Sequence, residues 1–399
     1  IVFLTRKMRG RGGMQKYTRD LVSALSQLPD VHLHVRSPLH LFVLVRAQRI
    51  HLGDVALTPL GAIVKIFKPR CRVTVTAHGL DVIYASWIYQ KLVRWALCKM
   101  DAVIAVSSAT AREVRSRGVP ASRVHVIPCG IWETGLGIRT VKRGGPILLS
   151  IGRLIPRKGI AWFIDQVLPR LVKKFPDLAY HVIGKGSDEL RISWAIHRRN
   201  LGRYVHLHGA VSDAKRDDLL EEADVFIMPN TVMKGDMEGF GIACIEASSF
   251  GLPVAAARVD GLTDAVMEGE TGALFSSGVP DDASKVIEDL LRNPLDPIAV
   301  QEATLQHFSW ETLKMRYAEL LLPPKAPVNS AEKPALLTWD FAGAKGGLGR
   351  ALVLLSDTSH IQTIFSPSEG FLSFTKRYGG HVLFSLLLPF TLQKMIDRE

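Results

Sequence analysis

Two carboxylates, Glu238 and Glu246, lie eight positions apart in the stretch EGFGIACIEA, with a Gly-Phe-Gly turn between them. The preceding DVFIMPN is typical of a buried strand, and a helix is predicted to start after Gly241. Ligands of open α/β sheets bind at the carboxyl ends of strands, where a helix N-terminus offers free N–H groups to a phosphate. We therefore expect both carboxylates to accept hydrogen bonds from sugar hydroxyls, while the backbone of Phe240, Gly241 and Ile242 holds a phosphate.

Two cations follow another strand, ILLSI, in the stretch GRLIPRKG: Arg153 and Lys158. A guanidinium and an ammonium can together neutralise a diphosphate leaving group where no metal does so. The chain contains no Asp-x-Asp, the pattern typical of metal-dependent sugar-nucleotide enzymes. Each pattern alone has an ordinary alternative: a solvated loop for the cations, and a capping carboxylate plus a solvated helix residue for Glu238 and Glu246.

A glycine pair follows the opening strand, in RGRGGMQKYTRDL. Gly12 and Gly13 lack side chains, so the backbone there can approach a ligand closely. A plain turn is the alternative interpretation.

Short apolar runs alternate with helical stretches along the chain, which is the pattern of buried parallel sheets. At 399 residues and 47% hydrophobic composition, the chain is too long for one ordinary core. We predict an α/β fold with one domain over residues 1–143 and a second over 144–322, joined within IRTVKRGGP. The segment from Ser37 to Arg49 is short for the usual helix and strand, so the first domain is predicted to be shortened.

Positive charge is concentrated in the first half. Residues 1–145 hold 23 lysines and arginines against 7 aspartates and glutamates, a net +16, which leaves −4 for the rest because the whole chain carries +12. Such a field attracts anionic lipid, nucleic acid or sugar-nucleotide phosphates, unless the basic surface is idle. Nucleic acid is disfavoured because aromatic and basic residues are not interleaved as in single-strand binders.

The four cysteines are scattered without metal-ligand or disulfide spacing, which favours a reducing, cytoplasmic location and no metal site. No signal peptide is recognised. The longest apolar run near the end, HVLFSLLLPF, is far below the roughly 20 residues of a membrane span. The sequence thus predicts a soluble protein, or one that lies on a membrane surface.

An ordered series of motifs resembles the retaining family 4 glycosyltransferases of the GT-B fold, over about residues 1–322. The resemblance implies a GT-B fold of two Rossmann-like domains whose parallel sheets face a cleft, and a C-terminal extension outside that plan follows them. The motifs are GGMQ, TAHGLD, GRLIPRKG, GKG, MPN, GDMEGFGIACIEA, DGLTDAV and GETG.

Roles for single residues follow from the resemblance alone. It implies that Arg153 and Lys158 bind the donor diphosphate, that Glu246 binds the nucleotide ribose, and that Glu238 lies near the donor sugar hydroxyls. His78 matches a first-domain histidine that contacts the donor sugar close to the reacting centre. A packed histidine at a strand end is the alternative for His78.

Glycines match the family pattern as well, with Gly13 against the phosphates and Gly184 to Gly186 near the base or ribose. Two positions depart from the pattern. Cys129 stands where the family usually has Asn, and Val259-Asp260 stands where small residues are common. We expect neither departure to touch the chemistry directly.

The function implied is transfer of a hexose from a nucleotide-diphosphate sugar to a hydroxyl of a saccharide or lipid-linked acceptor, with retention of configuration and without a metal or cofactor. The alternatives are a catalytically silent binding protein of the same fold, or a basic protein that binds nucleic acid or a membrane surface. The clusters RKMRGR and KIFKPRCR are the predicted contacts with an anionic cytoplasmic leaflet.

Beyond residue 322, a proline-rich linker is predicted over 323–334. Residues 335–399 then repeat the opening pattern of strand, glycine pair and helix. This extension is predicted to be the start of a second glycosyltransferase domain, with Lys345, Gly346 and Gly347 as its idle phosphate loop. An extra strand and helix packed on the first domain is the alternative.

Overall fold

The computed structural model describes most of the two predicted domains. The described residues are 1–5, 13–28, 31, 34–36, 47–133, 137–138 and 144–322. All of them belong to one compact unit, Ile1–Leu337. The predictions for Gly12, for the shortened segment, for the cluster RKMRGR, for the linker and for the extension with Lys345, Gly346 and Gly347 fall wholly or mainly outside the described residues.

The first domain is built on a parallel sheet whose described strands follow the order β2-β1-β3-β4-β5-β6. Its central strands are buried on both faces because helices and the core cover both sides. The strands are β1 Val2–Leu4, β2 His34–Arg36, β3 Arg49–Leu52, β4 Arg72–Ala77, β5 Ala102–Ala105 and β6 Val124–Val126.

The helices of the first domain begin where polar side chains satisfy their first N–H groups. Ser86 accepts from the N–H of Tyr89, and Ser107 accepts from the N–H of Thr110, both at helix starts. The helices are α1 Gly13–Ser26, α2 Thr58–Phe67, α3 Leu80–Ile83, α4 Trp87–Leu97 and α5 Ser108–Ser116, with 3-10 turns at Val55–Leu57 and Ala121–Arg123.

The second domain has a parallel sheet in the order β12-β11-β10-β7-β8-β9. The chain reverses its direction across the sheet between β7 and β10, and a crevice opens at the carboxyl ends of these neighbours. The strands are β7 Ile147–Ile151, β8 Ala179–Ile183, β9 Val205–Gly209, β10 Val225–Met228, β11 Val254–Ala257 and β12 Gly272–Phe275.

Helices cover both faces of this second sheet. The helix predicted after Gly241 starts there and ends at Ser248, which places Glu246 one turn inside it. The helices are α6 Ile160–Trp162, α7 Leu168–Lys174, α8 Glu189–Arg198, α9 Asp213–Glu222, α10 Ile242–Ser248, α11 Leu262–Ala265, α12 Pro280–Arg292, α13 Pro297–Phe308 and α14 Trp310–Leu321, with a π-helical segment Phe163–Val167 and a 3-10 turn Pro156–Lys158.

The last described helix, α14, packs on the first domain although the sequence boundary places it in the second. The hydroxyl groups of Tyr17 and Tyr317 are 2.5 Å apart, and the Arg72 guanidinium donates to the carbonyl of Leu320. Trp310, at the start of the helix, is fully buried. The predicted pair of parallel-sheet α/β domains is confirmed, with one helix returning to the first.

Candidate active site

The carboxylate of Glu238 is the centre of a buried polar cluster in the loop between β10 and α10. Its Oε2 accepts hydrogen bonds from Arg157 Nη1 at 2.5 Å, from Lys158 Nζ at 2.5 Å and from Asn230 Nδ2 at 2.9 Å. The Glu238 side chain is only 14% exposed. Glu238 and Lys158, which the sequence predicted to share one site, are therefore in direct contact.

The fold brings these groups together because β7 and β10 are adjacent and parallel, so that their carboxyl ends meet. Arg157 and Lys158 lie in the 3-10 turn that follows β7, and Asn230 lies just after β10. Gly159 ends the turn with a φ of +67°, and a Cβ there would lie 1.9 Å from the carbonyl oxygen of Pro229. Glycine thus allows the two loops to approach closely enough for the ion pairs to form.

The electrostatics of the cluster keep Glu238 ionised. Burial raises the pKa of its carboxyl group, but Lys158 and Arg157 lower it by more, and the pKa falls to about 2. The same pairing raises the pKa of Arg157 against the effect of burial. A carboxylate with this pKa accepts hydrogen bonds at neutral pH and has no proton to give as a general acid.

Arg157 is a site residue that the sequence analysis missed. Its side chain is 6% exposed, and its Nε donates to Asp236 at 3.0 Å while Nη1 binds Glu238. The predicted cation Arg153 is instead exposed, although it lines a small pocket with Lys158, Gly152 and other residues at the end of β7. The sequence feature that could have identified Arg157 is its position next to Lys158 in the same short turn.

Glu246 has a different setting. It lies on α10 and forms an ion pair with Lys16 of α1, so that the two domains contribute one charge each. The side chains of Lys16 and Glu246 are 41% and 29% exposed. Glu246 therefore faces the cleft between the domains, as expected, and its partner is a first-domain lysine that the sequence analysis did not single out.

The glycine loop of the first domain reaches the same helix. Gly13 is the first residue of α1, and a Cβ there would lie 3.5 Å from Cδ1 of Ile242. Gly241 has a φ of +99°, and Phe240 before it is buried with its ring 5.8 Å from that of Phe308. These contacts bring the predicted phosphate-binding residues of both domains to one place.

The predicted glycines of the GKG motif have a packing role. A Cβ on Gly184 would lie 1.8 Å from the carbonyl oxygen of Gly152, and one on Gly186 would lie 2.2 Å from that of Leu154. The loops after β7 and β8 therefore touch backbone to backbone. This packing fixes the loop that carries Arg153.

His78 lies at the end of β4 in the first domain, partly buried. Its Nε2 is 2.9 Å from the carbonyl oxygen of Gly53, and its ring meets the ring of Tyr17 edge-on at 5.0 Å. A carbonyl oxygen can only accept, so Nε2 carries a hydrogen, and the neutral form of the ring presents Nδ1 as its acceptor nitrogen. The histidine is thus held in one orientation.

The two domains meet beside His78. A Cβ on Gly239 would lie 1.9 Å from the carbonyl oxygen of His78, so only glycine fits between the carboxylate loop and the end of β4. Nearby, the N–H and hydroxyl of Ser108 donate to Asp264 at 3.0 and 2.6 Å. His78 and Glu238 therefore lie on facing loops: His78 supplies the carbonyl of this contact, and Glu238 is the residue before Gly239.

The two departures from the family pattern lie closer to the site than expected. Asp260, held at a φ of +45°, accepts the backbone N–H of Glu238 at 3.0 Å. Cys129 is buried, and burial followed by the nearby charge of Glu238 raises the pKa of its thiol. Asp260 positions the backbone of the carboxylate loop, and the expectation that neither position touches the chemistry directly stays a prediction.

The described residues contain neither a metal-binding cluster nor a membrane-spanning helix. No group of three or more His, Cys, Asp or Glu side chains there is arranged to hold a metal ion. Among the helices that the structure describes, none combines the length and hydrophobicity needed to cross a bilayer.

Known families match both domains of this chain. Residues 34–132 match the description "Glycosyltransferase Family 4", and residues 138–306 match "Glycosyl transferases group 1". Together these matches cover more than half of the chain, and the second begins near the predicted domain boundary. The chain belongs to the family 4 glycosyltransferases, as its motifs predicted, and is a glycosyltransferase of the group 1 type.

Similar proteins include two bacterial enzymes of envelope biosynthesis. A GDP-mannose-dependent alpha-(1-6)-phosphatidylinositol monomannoside mannosyltransferase of Mycolicibacterium smegmatis is 29% identical over 63% of this chain and 70% of its own length. A putative colanic acid biosynthesis glycosyltransferase, WcaL of Salmonella typhimurium, is 26% identical over 63% of this chain and 64% of its own. The chain thus spans about two thirds of each relative.

Solved structures share the fold. HepE of Anabaena, solved in complex with UDP, has a TM-score of 0.66 and 20% identity over 80% of this chain and 98% of its own. At 20% identity, this similarity is evidence only for how the domains are arranged. With the family established, this arrangement is the predicted GT-B fold.

Proposed function

We propose that this protein transfers a hexose from a nucleotide-diphosphate sugar to a hydroxyl of a saccharide or lipid-linked acceptor, with retention of configuration and without a metal. The observation that carries the proposal is the cation–carboxylate cluster of Arg157, Lys158 and Glu238 at the switch point of the second sheet, facing His78. GDP-mannose in one relative's name and UDP in one structural neighbour's complex support a nucleotide-linked donor.

The donor diphosphate takes its charge compensation from Lys158 and Arg153. Lys158 shares the Oε2 atom of Glu238 with Arg157 and Asn230, so Glu238 keeps two donors when the ammonium group turns to a phosphate. Arg157 is tied at both Nε and Nη1 and keeps Glu238 ionised throughout. Leaving-group charge is then met by cations, in the low-dielectric setting where they are most effective.

The donor sugar lies between Glu238 and His78. Glu238 is an ionised acceptor for sugar hydroxyls, and Glu246 at the cleft is an acceptor for the ribose. His78 presents Nδ1 as an acceptor because its Nε2 donates to Gly53. The acceptor hydroxyl approaches from the first domain, and closure of the cleft aligns the reactants and excludes water.

The experiment is a donor panel. UDP-, GDP- and ADP-hexoses are incubated with the purified chain and an alkyl-glycoside acceptor, with and without excess chelator, and free nucleoside diphosphate and the anomeric proton signal of the glycoside product are measured. We expect turnover of one donor, unchanged by chelator, with the donor's configuration kept in the product.

Three outcomes count against separate parts of the proposal. Loss of turnover in chelator with recovery in Mg²⁺ or Mn²⁺ contradicts the metal-free mechanism. An inverted product contradicts retention. Binding of donors without any turnover identifies a silent binding protein of this family.

A further inference from the structure

An apolar surface lies on two neighbouring helices of the first domain, α2 and α4. The side chains of Phe67 and Trp87 are 81% and 69% exposed, which is unusual for large apolar residues of a folded domain. We call this surface the aromatic face; it comprises the exposed residues Ile63, Ile66, Phe67, Trp87, Ile88 and Trp95.

The aromatic face is continuous because of the sheet topology. Helix α2 connects β3 to β4, and α4 connects β4 to β5, all adjacent and parallel. Right-handed crossovers in one direction place both helices on the same side of the sheet, running the same way, and the two pack against each other. Phe67 and Trp95 therefore lie towards one end of the face, and Trp87 and Ile88 towards the other.

The charged side chains on the two helices of the aromatic face are all cations. Between Val55 and Met100 the sequence has seven lysines and arginines and a single acidic residue, Asp81, which is buried. Neither α2 nor α4 contains an aspartate or glutamate. The exposed cations of this segment are Arg70, Lys91, Arg94 and Lys99.

The structure also corrects which cations matter. In the predicted cluster KIFKPRCR, Lys65 is paired with Asp101 and Arg72 donates to Leu320. The Lys68 ammonium donates to the carbonyl oxygen of Ala47. Three of the four cations of that cluster thus make contacts within the protein. The residues that the cluster exposes to solvent are chiefly Arg70, Ile66 and Phe67.

We infer that the aromatic face docks on an anionic lipid bilayer. Indole and phenyl rings favour the boundary between headgroups and acyl chains, and cations without intervening carboxylates match a negative leaflet. A protein partner of ordinary charge would find no acidic residue on either helix to pair with its own cations. The exposed rings and the absence of acidic residues on the two helices therefore both favour a lipid surface.

The position of α4 links docking to the site. The hydroxyl of Tyr89 in α4 donates to the carbonyl of Asp81 at 2.5 Å, and the Asp81 carboxylate accepts the N–H of His78 at 2.9 Å. A bilayer against α4 therefore lies next to the loop that carries His78. This inference rests on the proposed function, in which the acceptor is lipid-linked. Binding to lipid is measured without any donor, so the two proposals are tested separately.

The test is flotation of the full chain with vesicles of phosphatidylcholine alone or mixed with phosphatidylglycerol. We expect binding to the mixed vesicles, loss of at least tenfold in the double variant Phe67→Ser with Trp87→Ser, and about fivefold loss for each of Lys91→Gln and Arg94→Gln. Trp194→Ser is the matched control, since Trp194 is 60% exposed on α8 and stacks with Arg198 as Trp87 does with Lys91. It should bind as the unmodified chain does.

Two results overturn the inference. The first is equal vesicle binding by the aromatic variant and by Trp194→Ser, with both folded by circular dichroism. The second is no vesicle binding at all, together with a dimer of the unmodified chain that the aromatic variant converts to monomer in sedimentation velocity. Donor turnover by the aromatic variant separates this failure from failure of the proposed function, because the face touches no donor residue.

Discussion

Glu238 and Glu246 lie eight residues apart on one loop and helix, yet their surroundings differ. Glu238 is bound by Arg157, Lys158 and Asn230, all from its own domain, and is 14% exposed. Glu246 is 29% exposed and pairs with Lys16 of the other domain. One carboxylate is fixed by the folding of the second domain, and the other depends on how the two domains meet.

The difference bears on the proposed donor site. Its proposed diphosphate end, at Lys158 beside Glu238, is assembled within the second sheet and its loops. Its proposed ribose end, at Glu246, is paired to Lys16 of the first domain. We therefore expect changes at Glu238 to affect stability strongly, and changes at Glu246 or Lys16 to affect it weakly.

The largest effect on stability is expected for Arg157→Met. Removing this buried cation takes from Glu238 one of its two cationic partners and from Asp236 its ion-pair partner, which costs about 3–5 kcal/mol of unfolding free energy. Urea denaturation measures it. Arg170→Met is the matched control, because Arg170 pairs with Asp281 on the exposed surface and should cost under about 1 kcal/mol. Equal losses in the two variants would show that the Glu238 cluster is no more embedded than a surface pair.

A smaller, pH-dependent effect is expected at Glu238. Its folded pKa of about 2 lies below the ordinary 4.5, so the ionised carboxylate stabilises the fold above pH 4.5 and loses that contribution as pH falls towards 2. The contribution is about 3 kcal/mol. The difference in unfolding free energy between the unmodified chain and Glu238→Gln should shrink across this window. A difference that stays constant from pH 7 to pH 2 would contradict the pairing.

The smallest effect is expected for Lys16→Met. The pair with Glu246 is partly exposed, so its loss should cost under about 1 kcal/mol, and less still in high salt. Unfolding at low and high ionic strength measures this. Lys174→Met, which removes a surface pair with Glu288 inside the second domain, is the control. A loss above about 3 kcal/mol for Lys16→Met would mean that Glu246 is as firmly embedded as Glu238.

Much of the fold could be predicted from the sequence because buried parallel strands are continuous apolar runs. The predicted runs ILLSI and DVFIMPN contain β7 and β10, and the helix predicted after Gly241 starts there. The strands RIHL and GALF were not predicted, since the first begins with an arginine and carries a histidine, and the second begins with the last glycine of the GETG motif. The return of α14 to the first domain rests on tertiary contacts such as Tyr17 with Tyr317, which no local pattern shows.

The site was predictable in part, for a physical reason. Lys158 and Glu238 were found because each follows a strand, and neighbouring parallel strands end at one edge. Arg157 and Asp260 were missed because local spacing cannot show that two adjacent basic residues both point inward, or that a loop aspartate accepts a backbone N–H across a turn. Lys16 was missed because its partner lies in the other domain.

Calorimetric titration of UDP, GDP and ADP tests most directly whether the Glu238 cluster and Glu246 form the donor site. The chains compared are the unmodified one, Lys158→Ala, Glu246→Ala and the control Lys174→Ala, which removes a surface lysine of the same domain. A lost charge-assisted contact costs about 1.5–3 kcal/mol, so Lys158→Ala and Glu246→Ala should each bind the preferred nucleotide more than tenfold more weakly, while Lys174→Ala binds it as the unmodified chain does. Equal affinity in all four chains would contradict the placement of the donor at this site.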